Sequence, residues 1–592
     1  MIEKYADALL FEMRDAAAFT LLPDEDDRAA WAQIDERDAQ RILRRAQELA
    51  QANEVPALRA SSYMAYRRKG DLSGYPQAYF ARREALRTLT LAQCLQPDAR
   101  YIPLLTDLIW AICEETSWVL PANNPSALGD DAQPLPDPFT PLVDCAAAET
   151  AADLSLCAQL IGGTLQETAA QLVRRIVFEV RTRVIDPFAT YRELEWMCGP
   201  RATVGRCVSG VMQAFLTLEE DSRRRWQCMR KALFLLDRQL CQLPLDGGVP
   251  GGLSAWQETV QPIVDCVHMI RRASGGRVDL RAEQQIQLLC HFPVLCHLAR
   301  GWFVNPGEGG MRPALPARAM YRVGLSMRDQ ALCDLGCFLH KSGQAEEEPN
   351  RTLWALAQDL FNARAMDEAE PRPPFRREGY LPSWQLMTAR TAEDESAGLA
   401  VVMHGGSNRR VDGHADVGDV LLFAGDKPVL CDGAGRESEW HSLPVVGGAM
   451  QALGANHQAV DVMCELQENY DMMSMNLAPA YPADSAVYAW QRTLVFDRLE
   501  GGARLMEVFD LKGFETVAFH FITAQQPRIG QDYVQLGPVR MRWEGDLVAE
   551  CDDAPARDPA FEGRLYRLRF TTPQPVNGGQ YVFTFTPLRT FG

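Results

Sequence analysis

The chain has 592 residues, 47% of them hydrophobic, and a formal net charge of -18. That length exceeds what one hydrophobic core organises, so two or more domains are expected. The acidic balance excludes nucleic acid as a bulk partner, because phosphate binding draws on clustered Lys and Arg.

The first residues, MIEKYADALLFEMRDAAAF, carry charges every few positions, and no later stretch has the length of a membrane span. A cytoplasmic protein without a membrane partner is expected. Sixteen cysteines are scattered, thirteen of them before residue 340, with no CxxC pair, which reads as reduced and mostly buried thiols.

To about Phe375 the apolar residues recur at helical spacing. LCAQLIGGTLQETAAQLVRRIVFEVRTRVIDPF reads as one long amphipathic helix ended at Pro187, and WQCMRKALFLLDRQLCQLP and ETVQPIVDCVHMIRR repeat the pattern. Short connections imply antiparallel neighbours, and roughly a dozen helices curved into a toroid would fit. His268, His291, His297 and His340 fall on these apolar patterns as packed histidines. RRR at 223–225 reads as a solvated helix face. A polar stretch, MDEAEPRPPFRREG at 366–379, serves as the linker, dividing a helical domain 1–375 from a domain 376–592.

After the linker the period becomes two. AGLAVVMHG, DVGDVLLFAG, KPVLCDG, AVDVMCEL, RTLVFDRLEGGARLMEVFDL, TVAFHFITA, YVQLGPVRMRW, RLYRLRFTT and QYVFTFTPL are short β-rich runs bounded by Gly, Asp, Asn and Pro, the pattern of an antiparallel β-sandwich. Within HGGSNRRVDGHADVGDVLLFAGDKPVLCDGAGRESEWHSLP, a hairpin turns at Gly425-Asp426 and brings His414 beside Asp432, with His441 beyond a short loop. By spacing alone these are loop residues with ordinary hydrogen bonds or ligands of a borderline cation.

The blocks HGGSNRRVDGHADVGDV, KPVLCDGAG and HSLPVVGGAMQ resemble the β-domain signature of the heparinase II/III family of polysaccharide lyases, KGG-x-N, HNHNDVGSF, PVLIDxG and HNLPTINGVMQ. MAYRRKGDLSGYPQAYFARREAL, LIWAICEETSWVLPANN and FEVRTRVIDPF resemble that family's α/α toroid. The resemblance implies an N-terminal toroid and a C-terminal antiparallel sandwich, zinc held structurally by His414, Asp432 and His441, and an acidic, uronate-containing oligo- or polysaccharide as partner, with room for a homodimer.

Most of the family's catalytic positions differ. LPAH reads LPANN; the asparagines of NWN become Ala202 and Val204; in DGGVPGGLSA the acid and the tyrosine become Gly251 and Ala255; the first His of HNH is Asp412. Elimination needs a neutralised C5 carboxylate, a base and an acid for the leaving oxygen, so Tyr191 and His404 become the candidate bases. Hydrolysis by Asp412 with a second carboxylate, Glu115 or Glu195, is the alternative, and glycan binding without chemistry is a third. The expected substrate contacts are Asn123, Asn124, Arg201, Asn408, Arg409 and Trp256. Arg201, Arg206, Arg409 and Arg410 are read as loop guanidinium groups facing the cleft. Trp118, Trp196 and Trp256 flank the altered motifs, equally suited to a core or to stacking on sugars.

Overall fold

The computed structural model describes the chain except residues 125–132, 192–193, 199–200, 305–309, 347–351, 394, 410–413, 434, 562 and 589–592, and the side chains at 195, 198, 201, 202 and 555. Helices occupy the first half and antiparallel sheets the second. Among the described residues no helix is long and apolar enough to cross a membrane.

Several helices begin where a side chain can accept an orphan first-turn amide. Asp144 accepts from the Ala147 amide at 2.7 Å to open Cys145–Val180. Asp221 opens Ser222–Cys241 and Thr352 opens Leu353–Glu368 in the same way. Arg201–Leu218 lies so close to Cys145–Val180 that a Cβ on Gly210 would sit 2.7 Å from the Ala148 carbonyl carbon. The toroid core is apolar and continuous, and it includes Trp118, Phe188, Phe215 and Phe292.

The run expected to form one helix ending at Pro187 behaves differently. Its backbone leaves helical geometry at Ile161 and again at Ala169, bracketing Gly162-Gly163. The chain doubles back there, since Ala147 and Arg175 line the same pocket. Beyond Val180 it passes through a π-helical turn, Arg181–Ile185, into Asp186–Thr190. Pro187 does not end the helical run at once: it follows the π-helical turn directly, and the helix continues to Thr190. The Arg triplet also differs from a solvated face: Arg225 is buried and donates to the Glu219 carbonyl at 2.8 Å.

Past the linker, a five-stranded sheet runs Glu378–Leu381, Leu386–Arg390, Leu399–His404, Val420–Ala424, Lys427–Leu430, every neighbouring pair antiparallel. An eight-stranded and a four-stranded sheet complete the sandwich. All the β runs expected from the period form strands; Tyr470–Asn476, with three methionines and no β-branched residue, is an added one.

The five-stranded sheet is buried on both faces. Ala400, Val402, Leu421 and Phe423 join the toroid core. Their strand neighbours Leu399, Val401, Met403, Val420 and Leu422 join the sandwich core. Such strands read as continuous apolar runs. Trp302 of the toroid lies 6.0 Å from Phe423 and 5.3 Å from Phe561, ring centre to ring centre.

The linker is pinned by His297, whose Nδ1 lies 2.8 Å from the Pro374 carbonyl and whose ring stacks on Phe375 at 5.1 Å. Burial pushes this imidazole down to about 4, against the raising effect of the Pro374 carbonyl. His268 and His520 are lowered likewise by burial. The unfolded chain takes up the proton near the ordinary 6.5. Stability from His297 is therefore complete above that pH and lost as pH falls toward 4, by about 2 kcal/mol at pH 5. Equilibrium unfolding should show this loss between pH 7 and pH 5, and His297→Phe should make the acid-side decline shallower by one proton.

Candidate functional site

Three strand ends and the loops between them build the site. Leu399–His404 delivers His404, the approach to Val420–Ala424 carries His414, Asp416 and Asp419, and Asp432 follows Lys427–Leu430. A 3-10 turn, Ser438–Trp440, then presents His441. The hairpin turn at Gly425-Asp426 forms as the spacing predicts, Gly425 taking φ +60°.

His414, Asp432 and His441 converge, with one ligand atom from each lying within 4.8 Å of the others. The His414 and His441 ring centres are 5.2 Å apart. His441 is fully buried, with Nε2 2.7 Å from the Gly435 carbonyl. Its Nδ1 faces Asp419 Oδ2 at 3.2 Å and Asp432 Oδ1 at 3.4 Å. Burial acts to lower the imidazole, but Asp432, Asp419 and Asp416 outweigh it and hold the value up at about 10. With Nε2–H donated to the Gly435 carbonyl, Nδ1 becomes the ligand atom when a cation displaces its proton. Two imidazoles and a carboxylate so placed suit a borderline divalent cation.

The cluster rests on a buried ion pair. Arg492 and Glu507, both fully buried, meet at 2.5 Å, and Arg492 Nη1 donates to the Gly418 and Ser442 carbonyls at 2.7 Å each. Those carbonyls lie next to Asp419 and His441 in sequence, so one guanidinium sets the spacing of both loops. Asp419 Oδ1 accepts from the Ser442 and Val420 amides, each at 2.8 Å.

Beside the cluster lies a pocket of about 450 Å³ with His404, Arg409, His414, Asp416 and Trp384 on its walls. His404 Nε2 faces Asp416 Oδ2 at 3.7 Å, and Arg409 is exposed. The turn carrying Trp384 docks on the toroid, where Ser383 Oγ lies 2.9 Å from Asp246 Oδ1 and Trp384 stacks with Phe292 at 6.5 Å.

The other expected site residues fare unevenly. Trp256 is fully buried with Nε1 bonded to the Leu289 carbonyl at 3.0 Å, and Trp118 and Trp196 are also buried, so all three are core. Asn408 is buried and knits loops instead of facing ligand: its Nδ2 donates to Gln451 Oε1 at 3.1 Å and its Oδ1 accepts from the Asp416 amide. Asn123 Nδ2 is bound to Asp144 Oδ2 at 2.9 Å, and Asn124 is buried behind it. Tyr191 is half-buried, packs against the toroid core, and its carbonyl accepts from Lys231 Nζ. Arg201 and Arg206 belong to the helix Arg201–Leu218, not to loops, and Arg206 pairs with Glu149 at 2.7 Å. Asp412 and Arg410 lie outside the described residues, as do the side chains of Arg201 and Glu195.

Trp384, Asp416, Asp419 and Arg492 escaped the sequence reading. Trp384 sits in LPSWQL, a turn with no chemical motif, and Arg492 lies 74 and 50 residues from the Gly418 and Ser442 carbonyls it holds.

A helical toroid docked on an antiparallel sandwich is a heparinase-like fold, shared with solved structures of polysaccharide lyases. The chain is similar to the heparan sulfate lyase from Pedobacter heparinus, with TM-score 0.64 and 12% identity over 99% of this chain and 87% of that one. It is similar to a heparinase III gene product, with TM-score 0.62 and 13% identity over 99% and 89%. A Paenibacillus xanthan lyase follows, with TM-score 0.51 and 10% identity over 94% of this chain and 58% of that one. No family model matches the chain, and no curated protein matches it in sequence.

Glu115, a candidate acid in the hydrolysis reading, is buried between two arginines. Its Oε1 lies 2.9 Å from Arg82 Nη1 and its Oε2 2.6 Å from Arg83 Nη2, and Arg83 packs over the Tyr79 ring. A carboxylate so paired is a structural anion. Glu115→Gln should cost about 3–5 kcal/mol in denaturant unfolding, because two guanidinium groups stay buried without their partner; unchanged stability with lost turnover would instead make Glu115 catalytic.

Proposed function

We propose that the protein is a carbohydrate-active enzyme of lyase type that eliminates across a uronate unit of an acidic oligo- or polysaccharide. The observation that carries this reading is the pocket in which His404, Asp416, Arg409 and Trp384 meet beside the His/Asp cluster. The fold shared with lyases of heparan sulfate and of xanthan supports the same class.

His404 is the base in this reading. It takes the C5 proton, Asp416 stabilises the imidazolium that results, and that imidazolium returns the proton to the leaving glycosidic oxygen as the C4–O bond breaks and the C4–C5 double bond forms. Arg409 offsets the uronate carboxylate, which lowers the cost of the C5 carbanion. Trp384 gives the sugar ring an apolar face to lie on. Tyr191 is the lesser candidate for base, since it packs against the toroid core and does not line this pocket. Of the two carboxylates offered as partners of Asp412 for hydrolysis, Glu115 is held in ion pairs, which leaves Glu195 for that reading.

His414, Asp432 and His441 would hold zinc, whose contribution is structural: it locks the loops that carry His404 and Asp416. Metal analysis of protein purified without chelator should give about one zinc per chain, and His441→Ala should lose the metal and lower Tm. Metal-free protein with unchanged Tm would end the assignment.

Acidic polysaccharides incubated with the enzyme should yield a product absorbing in the ultraviolet, the signature of the new C4–C5 double bond. His404→Ala should reduce kcat by about 10²–10⁴-fold, Asp416→Asn by less, and Arg409→Ala should lower kcat as well as raise KM. Turnover giving only a new reducing end would replace elimination by hydrolysis. Binding without any product would leave a glycan-binding protein.

A further inference from the structure

Two cysteines face each other across the contact between the helices Cys145–Val180 and Arg201–Leu218. Cys145 Sγ lies 3.4 Å from Cys207 Sγ, although the two are 62 positions apart in the chain. The helices run parallel and in step at this contact: Cys145 meets Cys207, Ala148 meets Gly210, and the Ala152 carbonyl accepts from Gln213 Nε2 at 2.8 Å. Gly210 has no side chain to hold the two backbones apart. The close approach leaves the sulfurs about 1.4 Å from disulfide bonding distance.

The two thiols differ in setting. Cys145 is half-buried and is the first residue of its helix, whereas Cys207 is fully buried. Burial pushes the Cys207 thiol well up, and Cys145 adds to the effect. Cys207 therefore keeps its proton and can donate it to the Cys145 sulfur. Cys145 Sγ in turn faces the Thr203 carbonyl at 3.6 Å. The neighbouring Asp144 carboxylate is taken up by the Ala147 amide at 2.7 Å and by Asn123 Nδ2 at 2.9 Å. Arg206 stands beside the pair: burial disfavours its charge, but Glu149 and then Cys145 outweigh burial and raise its pKa. Partly exposed cysteines at a helix N-terminus and beside a guanidinium are the ones oxidants reach.

We infer that Cys145 and Cys207 form a redox-modification site, a dithiol that hydrogen peroxide oxidises to a reversible disulfide fastening the two helices. The Cys145 sulfur attacks one peroxide oxygen, the O–O bond breaks, and the departing oxygen leaves as water with the thiol proton. Cys145 is then a sulfenic acid. The Cys207 sulfur attacks the Cys145 sulfur, the S–O bond breaks, a second water leaves with the Cys207 proton, and the S–S bond forms. The two thiols lose two electrons and the peroxide gains them. A cross-link over this span restricts the unfolded chain, so the oxidised protein is the more stable form. The inference stands apart from the lyase reading, and none of its readouts uses turnover.

The full chain, reduced and freed of reductant, is treated with a small excess of hydrogen peroxide, alkylated and digested without reductant. Peptides joined through Cys145 and Cys207 should appear, with two thiols fewer among the sixteen cysteines. Tm should rise by about 3–5 °C, and dithiothreitol should reverse every change. Cys207→Ser should halt at the sulfenic acid on Cys145, captured by dimedone, and Cys145→Ser should leave Cys207 unoxidised. The parent cross-link and the dimedone adduct keep the test valid should Cys145→Ser fail to fold. The inference is overturned if both thiols remain open to alkylation after peroxide, if Cys145 passes to sulfinic acid with no cross-link, if Cys207→Ser captures no dimedone at Cys145, or if the cross-link forms with Tm unchanged.

Discussion

The structure depends on one sheet being buried twice. Leu399–His404 and Val420–Ala424 turn alternate side chains into two different cores, the toroid's on one face and the sandwich's on the other. Alternation along a strand has a period of two, so slipping the register by one residue would exchange the two sets. Phe423, which meets Trp302 across the junction, would then point into the sandwich. Because the same strands end in His404 and lead out of the His414–Asp419 loop, the register that joins the domains also places the site.

Above that sheet, the site loops are held by buried charge. Arg492 and Glu507 lie on neighbouring strands, Val487–Asp497 and Gly502–Glu515, directly opposite each other in register. An ion pair inside a core is weak evidence for stability, since desolvation offsets most of the attraction. Its value here is geometric. A guanidinium with two donors left over can bind two carbonyls at once, and Gly418 and Ser442 are the two that bring Asp419 to His441. Replacing it by an apolar side chain would fill the space and leave those carbonyls unbound. Arg82, Arg83 and Glu115 act in a similar way in the toroid, with Arg183 Nη2 donating to the Cys113 carbonyl beside them.

The stretch 246–255 and the pocket bear on each other. At Gly251 and Ala255 the family-like loop carries no acid and no tyrosine, and the turn bearing Trp384 lies against the neighbouring Asp246-Gly248 segment. A Cβ on Gly248 would lie 2.6 Å from the Trp384 ring. The small residues of that loop thus let an aromatic wall of the sandwich approach closely. The titratable groups that remain, His404, Asp416 and Arg409, all belong to the sandwich side of this contact.

The sequence by itself determined the order of a helical half followed by antiparallel sheets, the nine β runs, the hairpin turn at Gly425-Asp426 and the meeting of His414 with Asp432. Each of these follows from local periodicity or from a turn whose residues are adjacent in the chain. The break at Ile161 and the passage through Pro187 were hidden, because amphipathic spacing persists across a hairpin of helices and a π-helical turn carries the run past the proline. The burial of Trp256 and Asn408, the pairing of Glu115 and the helical setting of Arg206 belong to tertiary structure alone. A residue type states what a side chain can do. Whether it faces a ligand, a carbonyl or another charge is decided by segments far away in sequence, as Arg492 decides it for His441.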